Sequence, residues 1–301
     1  MEATTADRVP AAQPVRANER EPLSRRLVRQ LGKAPLNALL AFIALLWLIP
    51  TFGLFLTSLL PADTIGSQGW WTLFSEPSTA TFDNYSELLD NDTITSALVT
   101  TVFVAIGGTA LPIIVGAMAG YAFAWMDFPG RDWLFLGVVG LLVVPLQMAL
   151  IPMFSFYNSV GIFDTVLALV LFHTAFGLPF AIFLLRNFFI GIPKDILESA
   201  RIDGASELRI FTRLILPLGL PAIASLAIFQ FLWTWNDFLV ALTFGRDTQP
   251  ITVAIFSEFR QFGANIDVIA PAAFLSLVVP LAVFFAFQRY FVQGLLAGSV
   301  K

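Results

Sequence analysis

The chain has 301 residues, 57% of them hydrophobic and 13% charged, with a mean hydropathy of +0.79. Soluble domains carry about 25% charged residues, and a water-soluble fold could not hide this much apolar surface, so the composition calls for lipid. The absence of Cys excludes disulfides, thiol nucleophiles and cysteine-based metal sites.

A helix needs about 20 apolar residues to cross the hydrocarbon core. Six intervals between charged residues are long enough. Their apolar parts predict spans near 37–60, 96–125, 133–156, 165–186, 214–236 and 268–289. The fold class expected is therefore an all-α membrane protein with six transmembrane helices. The first span is too long for the apolar core of a signal peptide, and no small-residue cleavage site follows it before Pro61. It is expected to stay in the protein. Residues 1–33 read as a solvated, disordered cytoplasmic tail and 34–301 as the membrane domain.

Orientation follows from Lys and Arg in the connecting segments. Seven precede the first span, from Arg8 to Lys33, and the loop 61–95 has none against six acids. The loop 186–213 holds Arg186, Lys194, Arg201, Arg209 and Arg213. Counted over alternate segments, fifteen of the seventeen basic residues share one side. Both termini are expected in the cytoplasm. In the acidic first loop, Trp70 and Trp71 read as residues of the interfacial aromatic belt.

The loop from Ile192 to Pro217 is the most informative stretch. Pro193 suits the first turn of a helix, where its missing N–H costs nothing. Ile196 and Leu197 share a face with Ala200, and Asp195, Glu198 and Arg201 share another at i, i+3 spacing. Gly204 can take positive φ and end this helix. Ser206 suits the cap of a second helix with an apolar face of Leu208, Phe211 and Leu214 or Ile215. Two readings stand on these residues: a helix pair projecting from the membrane, or one lying flat at its surface.

The stretch Glu198-Ser-Ala200-Arg-Ile-Asp203-Gly204-Ala205, followed by Phe211, Leu216-Pro217 and Pro221, resembles the EAA loop of binding-protein-dependent ABC importer permeases. Ser199 replaces the middle Ala. The likeness runs over residues 36–301. Gly120-Tyr-Ala-Phe-Ala before Asp127-Phe-Pro-Gly-Arg131, Trp233-Thr-Trp235-Asn236-Asp237, and the end from Gln288 to Lys301 all resemble the maltose G-subunit branch of carbohydrate uptake permeases. The ending and Ile251-Thr-Val-Ala look most like α-glucoside or glucose permeases.

This resemblance implies a type I importer permease fold in which loop 187–216 carries a cytoplasmic coupling helix. Glu198 would touch a separate ATPase subunit, and Asp203 and Gly204 would shape the turn. Ala200 and Ala205 would keep the helix face narrow, with Phe211 and Pro217 completing the motif. It also implies a second permease subunit, an ATPase dimer and an extracytoplasmic sugar-binding protein as partners, in the bilayer and without nucleic acid. The chain has no P-loop, since Gly32-Lys33 lacks the upstream Gly and is followed by Ala. ATP and Mg are thus expected in the ATPase, with no cofactor and no catalysis in this chain. Gly294, Gly298 and Lys301 suggest a flexible basic tail that threads toward the ATPase.

A secondary transporter would place acids or bases in its spans, and a membrane enzyme would need convergent nucleophiles, bases or ligands. The mid-membrane stretches of the predicted spans hold no Asp, Glu, Lys or Arg, and only His173 is ionisable there. Neutral sugars bind through uncharged hydrogen-bonding groups and aromatic faces. Candidates for a translocation path are Gln147, Asn158, His173, Gln230, Trp233, Trp235 and Asn236. For each, helix–helix hydrogen bonding or interfacial anchoring is an equal alternative.

Overall fold

The structure, a computed structural model, describes residues 23–262 and 266–297. The chain divides into two units, residues 1–52 and residues 53–301. Helix α1 (Leu23–Ser58) supplies all that is described of the first unit and enters the second. It starts ten residues inside the tail expected at 1–33, because Leu, Arg and Gln between Leu23 and Lys33 are good helix formers. Residues 1–22 lie outside the described residues. The apolar part of α1, Ala34–Ser58, spans 25 residues, about 37 Å.

After α1 come α2 (Ala62–Ile65), two short 3₁₀ turns at Trp70–Phe74 and Pro77–Thr79, and α3 (Asp83–Asp90). Helix α4 (Asp92–Trp125) starts where the Asn91 side chain accepts hydrogen bonds from the N–H groups of Thr93 and Ile94, satisfying two orphan donors of its first turn. Helices α5 (Arg131–Leu141) and α6 (Leu146–Ser159) follow, then α7 (Val166–Ile190). The loop after α7 holds α8 (Lys194–Ile202) and α9 (Glu207–Ile210). A π turn at Phe211–Ile215 leads into α10 (Leu216–Trp235). The chain then forms α11 (Leu239–Phe244), α12 (Ile251–Phe262) and α13 (Ile266–Ala297).

Five of the predicted spans are continuous: Ala34–Ser58, Asp92–Trp125, Val166–Ile190, Glu207–Trp235 and Ile266–Arg289. The third, expected as one helix over 133–156, is instead the pair α5 and α6, bent by 98°. Pro145 has no N–H to give to Leu141 and biases Val144 away from helical backbone, so the helix breaks between Leu141 and Leu146. An 11-residue α5 reaches about 16 Å, half the hydrocarbon thickness. A sixth crossing exists only if α5 and α6 together form one broken span. At the other end, α13 runs through Gly294 to Ala297, beyond the boundary expected at 289. Gly298 and Lys301 lie outside the described residues.

Helices α4, α7 and α10 form the packed centre, and small residues set how closely they approach. A Cβ on Gly116 would lie 2.6 Å from the Ala181 Cβ, and one on Gly108 would meet His173 and Thr234 at 3.0 Å. The fully buried side chains Leu185, Phe189, Leu197 and Ile215 pack into one cluster that joins the α7–α10 loop to these helices. On the far side of the bundle from that loop, the carboxylate of Asp164, at φ 58°, accepts from the N–H groups of Asp247 and Thr248 at 3.0 Å. This joins the start of α7 to the turn before α12.

Replacing Gly116 with Val should force α4 and α7 apart. We expect a loss of about 1–3 kcal/mol, read from denaturant titration of the reconstituted chain; a change under about 0.5 kcal/mol would contradict close packing at this point.

Candidate functional site

Pro193 stands just before α8, at the N-cap, with φ −57° and ψ 129°. The helix ends in a Schellman motif. The N–H of Ala205 bonds to the carbonyl of Ala200 and the N–H of Gly204 to that of Arg201, both at 3.0 Å. Gly204 has φ 77°, as expected from the sequence. Nothing lies within 4 Å of where its Cβ would be. The requirement for glycine is conformational, not spatial.

The loop has an inner and an outer face. Leu197 is wholly buried, and Ala200 and Ala205 pack against the cluster of Leu185, Phe189, Ile210 and Ile215. These two alanines therefore face this chain's own core. The apolar face expected after Ser206 is shifted: Ile210, Phe211 and Ile215 are buried, but Leu208 is 67% exposed. The wider π turn at Phe211–Ile215 rotates the following residues relative to an α-helix, which takes Leu208 out of register. Ser206 occupies the N-cap position but its hydroxyl makes no capping bond.

Glu207 provides the side-chain anchor. Its carboxylate pairs with Arg201 through Nε at 2.9 Å and Nη2 at 3.3 Å, and also accepts from the Tyr121 hydroxyl. Arg201 Nη2 donates to the Trp125 carbonyl at 3.2 Å, and Trp125 Nε1 donates to the Phe189 carbonyl at 3.0 Å. The loop is thus fastened to the last turn of α4. Sequence reading missed this network, although opposite charges six residues apart across a glycine turn could have suggested it.

Outward-facing residues include Glu198, Asp203, Gly204 and the aliphatics Ile196, Ile202 and Leu208. Lys194 lies 2.7 Å from Glu198 and holds its carboxyl below the usual range by hydrogen bond and charge. Ile202 is 86% exposed. Aliphatic side chains displayed among charges on a turn fixed from behind make a surface suited to a protein partner. Pro217 is exposed at the start of α10.

The translocation candidates separate into groups. Gln147 is exposed in the first turn of α6, while Asn158 and Asn236 bond to carbonyls of their own helices, those of Phe154 and Leu232. Gln230 and Trp235 have a different task. Pro112 cannot donate to the Gly108 carbonyl, and Gln230 Nε2 does so instead at 3.0 Å. Pro280 likewise cannot donate to the Ser276 carbonyl, and Trp235 Nε1 does so at 3.0 Å. Each side chain of α10 restores a backbone bond that proline removes from a neighbouring span. Both are buried, so helix–helix bonding is the reading the geometry supports for them.

His173, wholly buried, meets the Trp233 ring edge-on at 5.1 Å, with Nε2 3.6 Å from the Asp237 carboxylate. Asp237 also accepts from the N–H groups of Val240 and Ala241 at the start of α11, and its carbonyl accepts from the Thr252 hydroxyl. It links α7, α11 and α12; sequence reading named it in the Trp233–Asp237 motif but gave it no role. An Asp just ahead of an apolar run was the available signal.

A family model described as binding-protein-dependent transport system inner membrane component matches residues 27–296. The chain is 47% identical over 275 residues to the osmoprotective compounds uptake permease protein GgtD of Synechocystis sp., covering 89% of this chain and 92% of that one. It is 51% identical over 246 residues to the alpha-glucoside transport system permease protein AglG of Rhizobium meliloti, covering 78% of this chain and 65% of that protein. In fold it is similar to a chain of a bacterial ABC transporter that imports the acidic polysaccharide alginate, with TM-score 0.71 and 21% identity over 90% of this chain and 98% of that one.

Two variants test the anchors. Gln230→Leu leaves the Gly108 carbonyl unpaired and should cost about 1–3 kcal/mol in unfolding titrations, whereas an unchanged midpoint would remove the carbonyl-repair role. Glu207→Ala should loosen the loop by about 1 kcal/mol, raising amide exchange in 202–209 roughly fivefold with the spans unaffected. Equal exchange in both proteins would show that the ion pair does not hold the loop.

Proposed function

Because the chain belongs to the family of binding-protein-dependent transport system inner membrane components, we propose that it is the permease subunit of an ATP-driven importer of a sugar, an oligosaccharide or α-glucoside. The observation that carries the mechanism is the turn at Gly204: a loop locked from behind by Arg201, Glu207 and Tyr121, displaying Glu198, Ile202 and Leu208 outward. A separate ATPase subunit receives this surface. ATP and magnesium bind in that partner, and this chain carries out no catalysis of its own.

Movement of the ATPase then reaches the spans by two rigid routes. One runs from α8 through Arg201 and Glu207 into the end of α4. The other runs through α9 and the π turn into α10. Because α10 also repairs carbonyls of α4 and α13, displacement of α10 is shared with both. The sugar reading draws on AglG, whose name specifies an alpha-glucoside. It also draws on Trp233, an exposed aromatic face suited to the apolar side of a sugar ring, which is backed by buried His173. A second permease subunit would complete the path, an extracytoplasmic binding protein would deliver the sugar, and the basic tail ending at Lys301 would register the ATPase.

This reading places the α8 loop and both termini in the cytoplasm. Reporter fusions at residues 80, 160 and 250 should read as external, and those at 130, 200 and 301 as cytoplasmic; a cytoplasmic signal at residue 80 would overturn the orientation. Gly204→Val strains a backbone at φ 77° by about 1–3 kcal/mol. Glu198→Lys sets like charges against Lys194, which lies 2.7 Å from the present carboxylate. Both variants should insert normally yet lose ATPase co-purification and sugar uptake together, by at least about tenfold. Wild-type yield and uptake in both would sink the docking assignment.

A further inference from the structure

The segment between α1 and α3 has a part the transport reading leaves unused. Residues 64–75 hold no charged side chain and lie between Asp63 and Glu76. Within them, Trp70–Phe74 forms a 3₁₀ turn. Leu73 is buried with Leu59, Leu60 and Ile65 at the end of α1. Trp70 rests on α1: a Cβ on Gly53 would lie 2.9 Å from its indole nitrogen. Trp71 and Phe74, at i and i+3, share a face in this geometry. They are 62% and 65% exposed, each edge-on to Trp70 at about 6 Å.

Depth decides what covers that face. Gly53 precedes the end of α1 at Ser58 by five residues, about 7.5 Å along the axis. The Trp70 indole therefore reaches back beside α1 to the level at which interfacial segments sink, about 5–10 Å into the headgroup and acyl boundary, and holds the rest of the turn at the end of α1. The turn's backbone suits that environment. The N–H of Thr72 bonds to the Gly69 carbonyl and those of Ser75 and Glu76 to the Thr72 carbonyl, while the hydroxyls of Thr72 and Ser75 bond to carbonyls within the same turn. These bonds satisfy several of the turn's donors within the turn itself. Because α4 crosses once between Asp92 and its junction with the loop, this turn lies at the opposite membrane surface from α8.

We propose that Trp70–Phe74 is a lipid-inserted foot, with Trp71 and Phe74 lodged among the headgroups and upper acyl chains of the leaflet opposite α8. The chain lacks Cys, so a single Phe74→Cys substitution accepts a nitroxide without removal of native thiols. The labelled chain would be assembled with cysteine-free partner subunits in phospholipid nanodiscs. Collisions with oxygen and with a water-soluble nickel chelate would be compared with labels at exposed Ser78 and at exposed Ile114 on α4. Expected is nickel accessibility at least about threefold below that at Ser78, with oxygen accessibility between the Ser78 and Ile114 values. Nickel accessibility equal to Ser78 would show an aqueous loop and end the proposal. An immobilised label shielded from both reagents would equally end it, showing that a protein partner covers the face.

Discussion

Proline in a membrane span creates a carbonyl with no partner, and the way this chain satisfies two such carbonyls organises its centre. Pro112 frees the carbonyl of Gly108 and Pro280 that of Ser276, and α10 answers both with Gln230 and Trp235, five residues apart. In hydrocarbon an unpaired carbonyl costs several kcal/mol, so the spacing between α4, α10 and α13 is held by hydrogen bonds as well as by packing. Gly177 makes room for this arrangement, because a Cβ there would sit 2.5 Å from the Gln230 amide nitrogen. Small residues along α4 and α7 bring the helices near enough for such side chains to reach.

Much of this was legible in the sequence, and the failures have physical causes. Span positions follow from charge-free length alone, and the positive φ of Gly204 follows from a glycine placed between two helical runs. The break at Pro145 was not read, because the interval from Asp132 to Asp164 is long enough for one helix and apolar length carries no direction. Gln230 and Trp235 were grouped with His173 and Trp233 because polarity in a span can mark a path or a repair. Only the position of the freed carbonyls separates the two. Asp237 was read as part of a motif but given no role, because its contact with His173 lies 64 residues away in sequence.

The loop after α7 shows how a charged, solvent-facing turn is made firm. An exposed ion pair contributes little, yet Arg201 and Glu207 are held in a network that adds Tyr121, the Trp125 carbonyl and, beyond it, Phe189. Behind them Leu197 sits in a dry cluster with residues of α7 and α10. Firmness comes from that combination of burial and shared hydrogen bonds.

The Schellman closure of α8 carries a different consequence. Its two defining bonds join backbone groups of Ala200 to Ala205 and Arg201 to Gly204, so the shape of the turn asks nothing of the side chains at positions 198, 202 and 208. The residues that shape the turn and the side chains it displays are therefore separate. If the loop docks as proposed, substitutions on the outer surface would retune which partner it fits while the inner residues go on holding the same form, which makes the turn an exchangeable plug on a fixed socket.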